Sequence, residues 1–197
     1  SWSAMNSGTS WALNAVWVSS PSQVFAVGEG GTIRHSNGAT WSPMSSGTMV
    51  ALRGVWGSSA ADVFAVGDVG IILHYNGTTW SPMSSGTTNA LYSLWGSSST
   101  DVFAAGAGGT ILHYDGSNWN EITSVITNDL YAVWGSSASN VFAVGLRDLQ
   151  ELGTLNGTGA ASLLYNLSVG LDRVSLVEVI RELHASRNRL VDRGGGP

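Results

Sequence analysis

The stretch LRGVWGSSAADVFAVGDVGIILHYNGTTWSPM, residues 52–83, contains four short apolar runs that are separated by turn signals. The runs are rich in Val, Ile, Leu, Phe and Trp, which is typical of β-strands. We predict strands at Leu52–Trp56, Val63–Gly67, Ile71–Tyr75 and Thr79–Met83. Asn76-Gly77 is a strong hairpin signal because both residues tolerate positive φ. This stretch therefore predicts a four-stranded antiparallel sheet.

The fourth strand of this sheet is predicted to form its outer edge. Pro82 lies within that strand, and Pro43 recurs at the same place in the preceding copy of the pattern. Proline has no N–H to donate to a neighbouring strand, so it is confined to edge strands.

The same pattern recurs along the chain with a period of 39 residues. Five series of residues keep this spacing: Trp17, Trp56, Trp95 and Trp134; Trp2, Trp41, Trp80 and Trp119; Phe25, Phe64, Phe103 and Phe142; Leu13, Leu52, Leu91 and Leu130; and His35, His74 and His113. Four antiparallel strands in about 40 residues are typical of a β-propeller blade. A helical solenoid is excluded because no 3.6-residue apolar period precedes residue 146.

The phase of the repeat predicts how the blades are divided. Residues 1–10 match residues 40–49, so they are expected to form an outer strand without a blade of its own. Full blades follow at 11–49, 50–88 and 89–127, and a partial fourth blade at 128–171. The strand around Trp2 is expected to complete the blade that carries Trp134. The ring then has four blades if one chain closes on itself, or more if open chains pair.

The repeat breaks at Leu146, where a charged segment follows VFAVG. Residues 157–168, GTGAASLLYNLS, align with residues 106–117, GAGGTILHYDGS. This alignment predicts a third strand at Ser162–Leu167 and an insertion at 146–156, in the loop between the second and third strands. Alternatively, everything after Gly145 is a separate segment, and the fourth blade is finished by another molecule or stays open.

Residues 172–197 are predicted to form a C-terminal α-helix and tail. Glu178 follows Ser175 by three residues, as in a capping box. Apolar residues then recur near one face of the helix, which must be buried somewhere. It either packs on the propeller or forms an oligomer contact. The expected fold is therefore an all-β propeller with a C-terminal α-helical extension.

Composition limits the classes of partner. The net charge is -5, which argues against nucleic acid as the main partner because phosphate binding needs a basic surface. There is no Cys, so disulfides, thiolate nucleophiles and Cys-ligated metals are excluded. Residues 152–171 carry no charge, but they are too rich in Gly, Ser, Thr and Asn to predict a membrane span. Only 11% of the residues are charged, which suggests an exported bacterial protein, extracellular or at the cell surface.

The segment LYSLWGSSSTDVFAAGAGGTILHYDGSNW, residues 91–119, resembles the tandem propeller repeats of large exported bacterial proteins. These repeats are similar in style to Asp-box (sialidase-type) and photosystem-assembly-factor-like propellers, and there is some resemblance to tectonin-type lectins. The Asp-box pattern is only approximated, since Asn37 and Asn76 stand where Asp115 keeps the acid. The resemblance covers residues 1–145 and implies a propeller that binds proteins or glycans.

No catalytic motif appears in the sequence. A sialidase-like site needs an Arg cluster, and the repeats contain only Arg34 and Arg53. The His series is expected to be structural, with each His hydrogen-bonded to a neighbouring hydroxyl, Asp or backbone group. We therefore expect a non-enzymatic binding or scaffold propeller, without cofactor or metal, that mediates protein–protein interaction or self-assembly. A lectin-like propeller is the alternative, and a glycosidase-like enzyme is the third candidate.

Candidate contact residues come from comparing the repeats with one another. In propellers the innermost strands and the loops entering them form the usual binding face. One position on these strands varies from repeat to repeat, and it gives the ligand-binding candidates Asn14, Arg53, Tyr92 and Tyr131. The turns between the second and third strands add two acidic candidates, Glu29 and Asp68. The insertion and the helix give the partner-contact candidates Leu146, Arg147, Leu149, Leu176, Ile180 and Leu183.

Overall fold

The computed structural model describes residues 5–145. Within this range the chain forms β-strands joined by tight turns and three short 3₁₀ turns. The strands are β1 Leu13–Ser20, β2 Gln23–Gly28, β3 Ile33–Ser36, β4 Trp41–Met44, β5 Leu52–Ser59, β6 Asp62–Gly67, β7 Ile72–Tyr75, β8 Trp80–Met83, β9 Leu91–Ser98, β10 Asp101–Gly106, β11 Ile111–Tyr114, β12 Trp119–Glu121, β13 Leu130–Ser137 and β14 Asn140–Gly145.

The strands form three four-stranded antiparallel sheets and one two-stranded sheet. The sheets β1–β4, β5–β8 and β9–β12 are called blades 1, 2 and 3, and β13–β14 is called blade 4. β4 and β8, which contain Pro43 and Pro82, lie at sheet edges, so the predicted edge position of the fourth strand is confirmed.

Several predictions fall on residues outside 5–145. These are the closing strand around Trp2, the insertion at 146–156, the third strand at Ser162–Leu167 and the C-terminal helix with its tail. They stay predictions, as do the proposed blade boundaries.

Each blade has two distinct faces, which the strand register defines. In blade 2, Trp56 pairs with Phe64 and Phe64 with His74, so these three side chains share one side, called the Trp face. Gly57 pairs with Val63 and Val63 with Tyr75 on the opposite side, called the Gly face. The same names apply to the equivalent residues of the other blades.

The core forms where the Trp face of one blade packs on the Gly face of the next. Phe64 of blade 2 is fully buried, and its ring centroid lies 5.3 Å from Tyr114 and 6.0 Å from Trp119 of blade 3. Phe25 of blade 1 meets Tyr75 and Trp80 of blade 2 in the same way. Because a blade is only one sheet thick, both of its faces need a neighbouring blade to be buried.

A glycine on each receiving inner strand makes room for the tryptophan of the blade before it. Trp17 lies over Gly57, Trp56 over Gly96 and Trp95 over Gly135. A Cβ atom at these glycines would stand 2.8, 2.6 and 2.7 Å from the indole ring, closer than real carbon contacts. The three joints therefore depend on the missing side chain.

The histidines are structural, as predicted. His74 Nε2 lies 2.6 Å from Asp62 Oδ1, and the ring stacks on Phe64 at 4.5 Å. His113 pairs with Asp101 at 2.7 Å, and His35 pairs with Gln23 at 2.8 Å. In blades 1, 2 and 3 the residue before the VF pair therefore ties the second strand to the third.

Val69 is a strained residue in the turn between β6 and β7. Its φ of 52° lies in the left-handed region, where glycine occupies the equivalent positions Gly30 and Gly108. A β-branched residue in that region costs about 1–3 kcal/mol, while glycine costs about 0.5–1 kcal/mol in lost chain entropy. We expect Val69→Gly to raise the free energy of unfolding by about 1 kcal/mol.

Urea denaturation of the two proteins measures this difference, and Gly108→Val is the matched control. Gly108 has φ 61° and no other side chain closer than 3.8 Å to an added Cβ, so strain is the main change there. We expect Gly108→Val to lose about as much stability as Val69→Gly gains, on the order of 1 kcal/mol. A stability loss in Val69→Gly would contradict the strain argument.

Candidate binding site

Four side chains at one repeat position form a continuous row across the inner strands. Asn14, Arg53, Tyr92 and Tyr131 lie on β1, β5, β9 and β13, and these strands are neighbours in that order. We call these four residues the inner-strand row. The structure thus places all four predicted residues of this position side by side.

Arg53 connects two blades at the centre of the row. Its Nε and Nη2 atoms donate to Asp68 at 3.0 and 2.7 Å, in the two-pronged geometry that suits a guanidinium and a carboxylate. Its Nη1 donates to Glu29 of blade 1 at 2.6 Å. Glu29 and Asp68 begin the 3₁₀ turns Glu29–Gly31 and Asp68–Gly70, so both predicted turn acids belong to the same site.

Asn14 ties blade 1 to this network. Its Nδ2 donates to the carbonyl oxygen of Leu52 at 2.8 Å and lies 3.4 Å from Glu29 Oε1. The amide thereby bridges the inner strands β1 and β5 beside the ion pairs.

An aromatic stack forms the other half of the row. The rings of Tyr92 and Tyr131 are nearly parallel, at an interplanar angle of 7°, with centroids 5.1 Å apart. The Tyr131 hydroxyl lies 3.4 Å from Asp129 Oδ2, and Asp129 Oδ1 accepts the Gly108 N–H at 2.9 Å. Tyr131 is exposed, so the stack is accessible to a ligand.

Hydrogen bonds and burial shift the pKa values of three side chains in and beside the row. The hydrogen bond from Arg53 holds the pKa of Asp68 below its usual range, although partial burial opposes this. The pKa of Arg53 is raised in turn, chiefly by its hydrogen bond to Asp68. Burial raises the pKa of Tyr92, and the nearby Asp129 adds to the shift. At neutral pH Asp68 is therefore ionised, Arg53 is charged and the Tyr92 phenol is neutral.

The ion pairs remain accessible. The side chains of Arg53, Glu29 and Asp68 are 32%, 35% and 36% exposed. Pairs at this exposure contribute on the order of 1 kcal/mol or less to stability. Their main consequence is to hold three charged groups in place at a surface that a partner can reach.

Asp129 is a site residue that the comparison of repeats missed. Its equivalents in the other copies are Ala12, Ala51 and Ala90. A charged residue where three copies have alanine is a usable signal, since the turn itself does not require a carboxylate there. Val69 gives a similar signal, because it replaces glycine at a turn beside Asp68.

Two shallow depressions lie beside the row at equivalent places in blades 1 and 2. They have volumes of about 410 and 590 Å³ and are lined by the 3₁₀ turns and by the loops 44–49 and 83–88. The buried hydroxyls of Ser46 and Ser85 bond to the carbonyls of Thr48 and Thr87 in their own loops. These groups hold loop geometry and are already occupied.

The partner-contact candidates Leu146, Arg147, Leu149, Leu176, Ile180 and Leu183 lie outside the described residues. Among residues 5–145, no three His, Asp or Glu side chains come together in a way that could hold a metal ion. The described part of the chain also contains no helix long and apolar enough to cross a membrane.

Comparisons with known proteins support the fold. No family model matches the chain, and no curated protein matches it. Among solved structures, it is similar to YCF48 bound to D1 peptide, with a TM-score of 0.61 and 17% identity over 74% of this chain and 50% of that one. YCF48 from Cyanidioschyzon merolae gives a TM-score of 0.55 and 14% identity over 68% and 48%. This chain spans about half the length of those proteins, and its described residues 5–145 are thus all-β, with the four-stranded antiparallel blades of a β-propeller.

Proposed function

We propose that this chain is a non-enzymatic protein-binding propeller whose inner-strand row recognises a peptide segment of its partner. The observation that carries this proposal is the row itself. It brings an open tyrosine stack together with fixed charges on one accessible surface. A solved structure of similar fold holds a bound D1 peptide, which supports peptide recognition by such propellers.

The chemistry of the row favours a peptide with a basic side chain. Glu29, Asp68 and Asp129 supply three carboxylates against the single guanidinium of Arg53. A Lys or Arg of the partner placed over the exposed Tyr131 ring gains a cation–π contact of about 0.5–1 kcal/mol. The same cation lies near Asp129, which hydrogen-bonds the Tyr131 hydroxyl, and this adds a charge-assisted hydrogen bond.

Binding of labelled peptides to the full chain tests this proposal. The probes are a Lys/Arg-containing peptide and the same peptide with Glu in place of each basic residue. We expect only the basic peptide to bind, with an affinity that falls as salt rises. Tyr131→Ala and Asp129→Asn are each expected to weaken binding about tenfold, which corresponds to about 1.4 kcal/mol.

Two matched variants control for general effects. Tyr131→Phe keeps the stacked ring and is expected to bind nearly as well as the wild type. Asp115→Asn removes an exposed carboxylate at the β11–β12 turn, away from the row, and is expected to change nothing. Equal losses in Asp115→Asn and Asp129→Asn would reject the row as the site. Glycan binding that Tyr92→Ala and Tyr131→Ala both weaken would instead favour the lectin-like alternative.

A further inference from the structure

Parts of two blade faces, one on the first and one on the last described blade, are exposed. On the Gly face of blade 1, Val16 is 63% exposed, whereas its equivalents Val55, Leu94 and Val133 are 9%, 8% and 6% exposed. On the Trp face of blade 4, Trp134 is 56% exposed. Each of these faces is of a kind that is buried between blades elsewhere in the chain.

The interior joints show what a Trp face requires of its partner. The receiving Gly face supplies Gly57, Gly96 or Gly135 beneath the tryptophan. In blades 2 and 3 it also supplies a buried leucine, Leu73 or Leu112, and a tyrosine, Tyr75 or Tyr114, against the incoming phenylalanine. The pattern Gly, Leu, Tyr at these positions therefore characterises a receiving face.

Blade 1 departs from this pattern at all three positions. Val18 replaces the glycine, Arg34 replaces the leucine and Ser36 replaces the tyrosine. Because even a bare Cβ would stand less than 3 Å from the indole ring in the interior joints, the Val18 side chain excludes a tryptophan in that pose. Arg34 is buried and its Nε donates to the Ser7 carbonyl at 2.8 Å, so this part of the face already has a polar partner.

We propose that the Trp face of blade 4, with Trp134 and Phe142, is a docking surface for a propeller blade of a partner chain that carries the Gly, Leu, Tyr pattern. A second copy of this chain is excluded as the partner by Val18, Arg34 and Ser36 of its blade 1. The argument for a blade as the occupant is continuity, since three joints of one geometry precede Trp134 in the same chain. The surface is distinct from the inner-strand row and does not depend on the function proposed for it.

A receiving variant of the full chain tests the proposal. It carries Val18→Gly, Arg34→Leu and Ser36→Tyr, which restore the pattern on blade 1, and Trp134→Ala, which removes its own docking tryptophan. We expect the wild type and the receiving variant each to sediment as monomers. Mixed together, they are expected to form a 1:1 complex of twice the monomer mass, because each now supplies one half of the joint.

Two controls isolate the joint. A receiving variant with Val18→Ala in place of Val18→Gly keeps a Cβ atom and is expected to bind the wild type at least about tenfold more weakly. A Trp134→Ala form of the otherwise wild-type chain is expected not to bind the receiving variant. Met49→Asp changes a 77% exposed residue of the β4–β5 loop, on neither open face, and is expected to leave binding unchanged.

Three results would overturn the proposal. They are self-association of the wild type that Trp134→Ala abolishes, failure of the folded receiving variant to bind, or equal binding by the Val18→Ala and Val18→Gly forms. If the fourfold variant does not fold, as judged by its unfolding curve, the chain with Val18→Gly and Trp134→Ala takes its place. Binding of that form to the wild type must then be weaker but still require Trp134, and its absence rejects the proposal.

Discussion

Replacing Phe64 by alanine is expected to lower the free energy of unfolding by about 3–5 kcal/mol. The ring is fully buried at the joint between blades 2 and 3. It stacks on His74 in its own blade and packs against Tyr114 and Trp119 of the next. Alanine leaves a cavity whose walls belong to two sheets, and neither sheet can close it without breaking its own register.

Urea denaturation followed by tryptophan fluorescence measures this loss. The repeat supplies a matched control in Phe142→Ala, which changes the same residue at the same repeat position. Phe142 is only half-buried and lies on the open Trp face of blade 4, so we expect a loss of about 1–2 kcal/mol, half the effect or less. Equal losses for the two variants would show that burial between blades does not govern stability.

Much of the fold could be predicted because the same residue types recur at the same strand positions in each copy of the repeat. Trp56 and Phe64 each have equivalents at intervals of 39 residues. In every copy the tryptophan and the phenylalanine lie opposite each other on adjacent strands. Pro82 predicted the edge from local chemistry alone. Asn76-Gly77 predicted the position of the hairpin, but only Gly77 has a positive φ, and the Asn76 side chain instead accepts hydrogen bonds from the Thr78 and Thr79 N–H groups. These signals lie within one blade, so one sequence suffices to read them.

The joints between blades were harder to predict because they depend on contacts between residues of different repeats. The glycine in WGSS reads locally as part of a turn, yet Gly57, Gly96 and Gly135 end up beneath a tryptophan that lies about one repeat earlier. The geometry of the candidate site was hard to predict for the same reason. Variation among repeats singled out Arg53, but its bridge to Glu29 and Asp68 depends on two turns from different blades meeting beside one inner strand.

The second large effect is expected at the glycine that ends each VFAVG motif. We expect Gly67→Ala to cost about 3 kcal/mol, at the upper end for overpacked sites. The φ of Gly67 is −168°, an extended value that any residue adopts, so backbone preference is not the reason. An added Cβ would instead stand 2.0 Å from the Ala51 carbonyl oxygen and 2.9 Å from the Leu52 Cα, and these backbone atoms cannot move aside as a flexible side chain could.

Thermal and urea unfolding of Gly67→Ala and of Gly86→Ala separate close approach from backbone conformation. Gly86 has φ 73° and no neighbouring atom within 4 Å of an added Cβ, so alanine there is expected to cost only about 1–2 kcal/mol for the left-handed conformation. A larger loss at Gly86 than at Gly67 would contradict the close-approach argument.

The same close approach links the fold to the inner-strand row. Directly after Gly67, the Asp68 N–H donates to the Ala51 carbonyl at 3.0 Å, and this bond presents the Asp68 carboxylate to Arg53. Pushing β6 away from the Ala51 carbonyl therefore also moves Asp68 away from Arg53. We expect any folded Gly67→Ala protein to bind the basic peptide more weakly than Gly86→Ala does, because its alanine displaces one of the three carboxylates of the site.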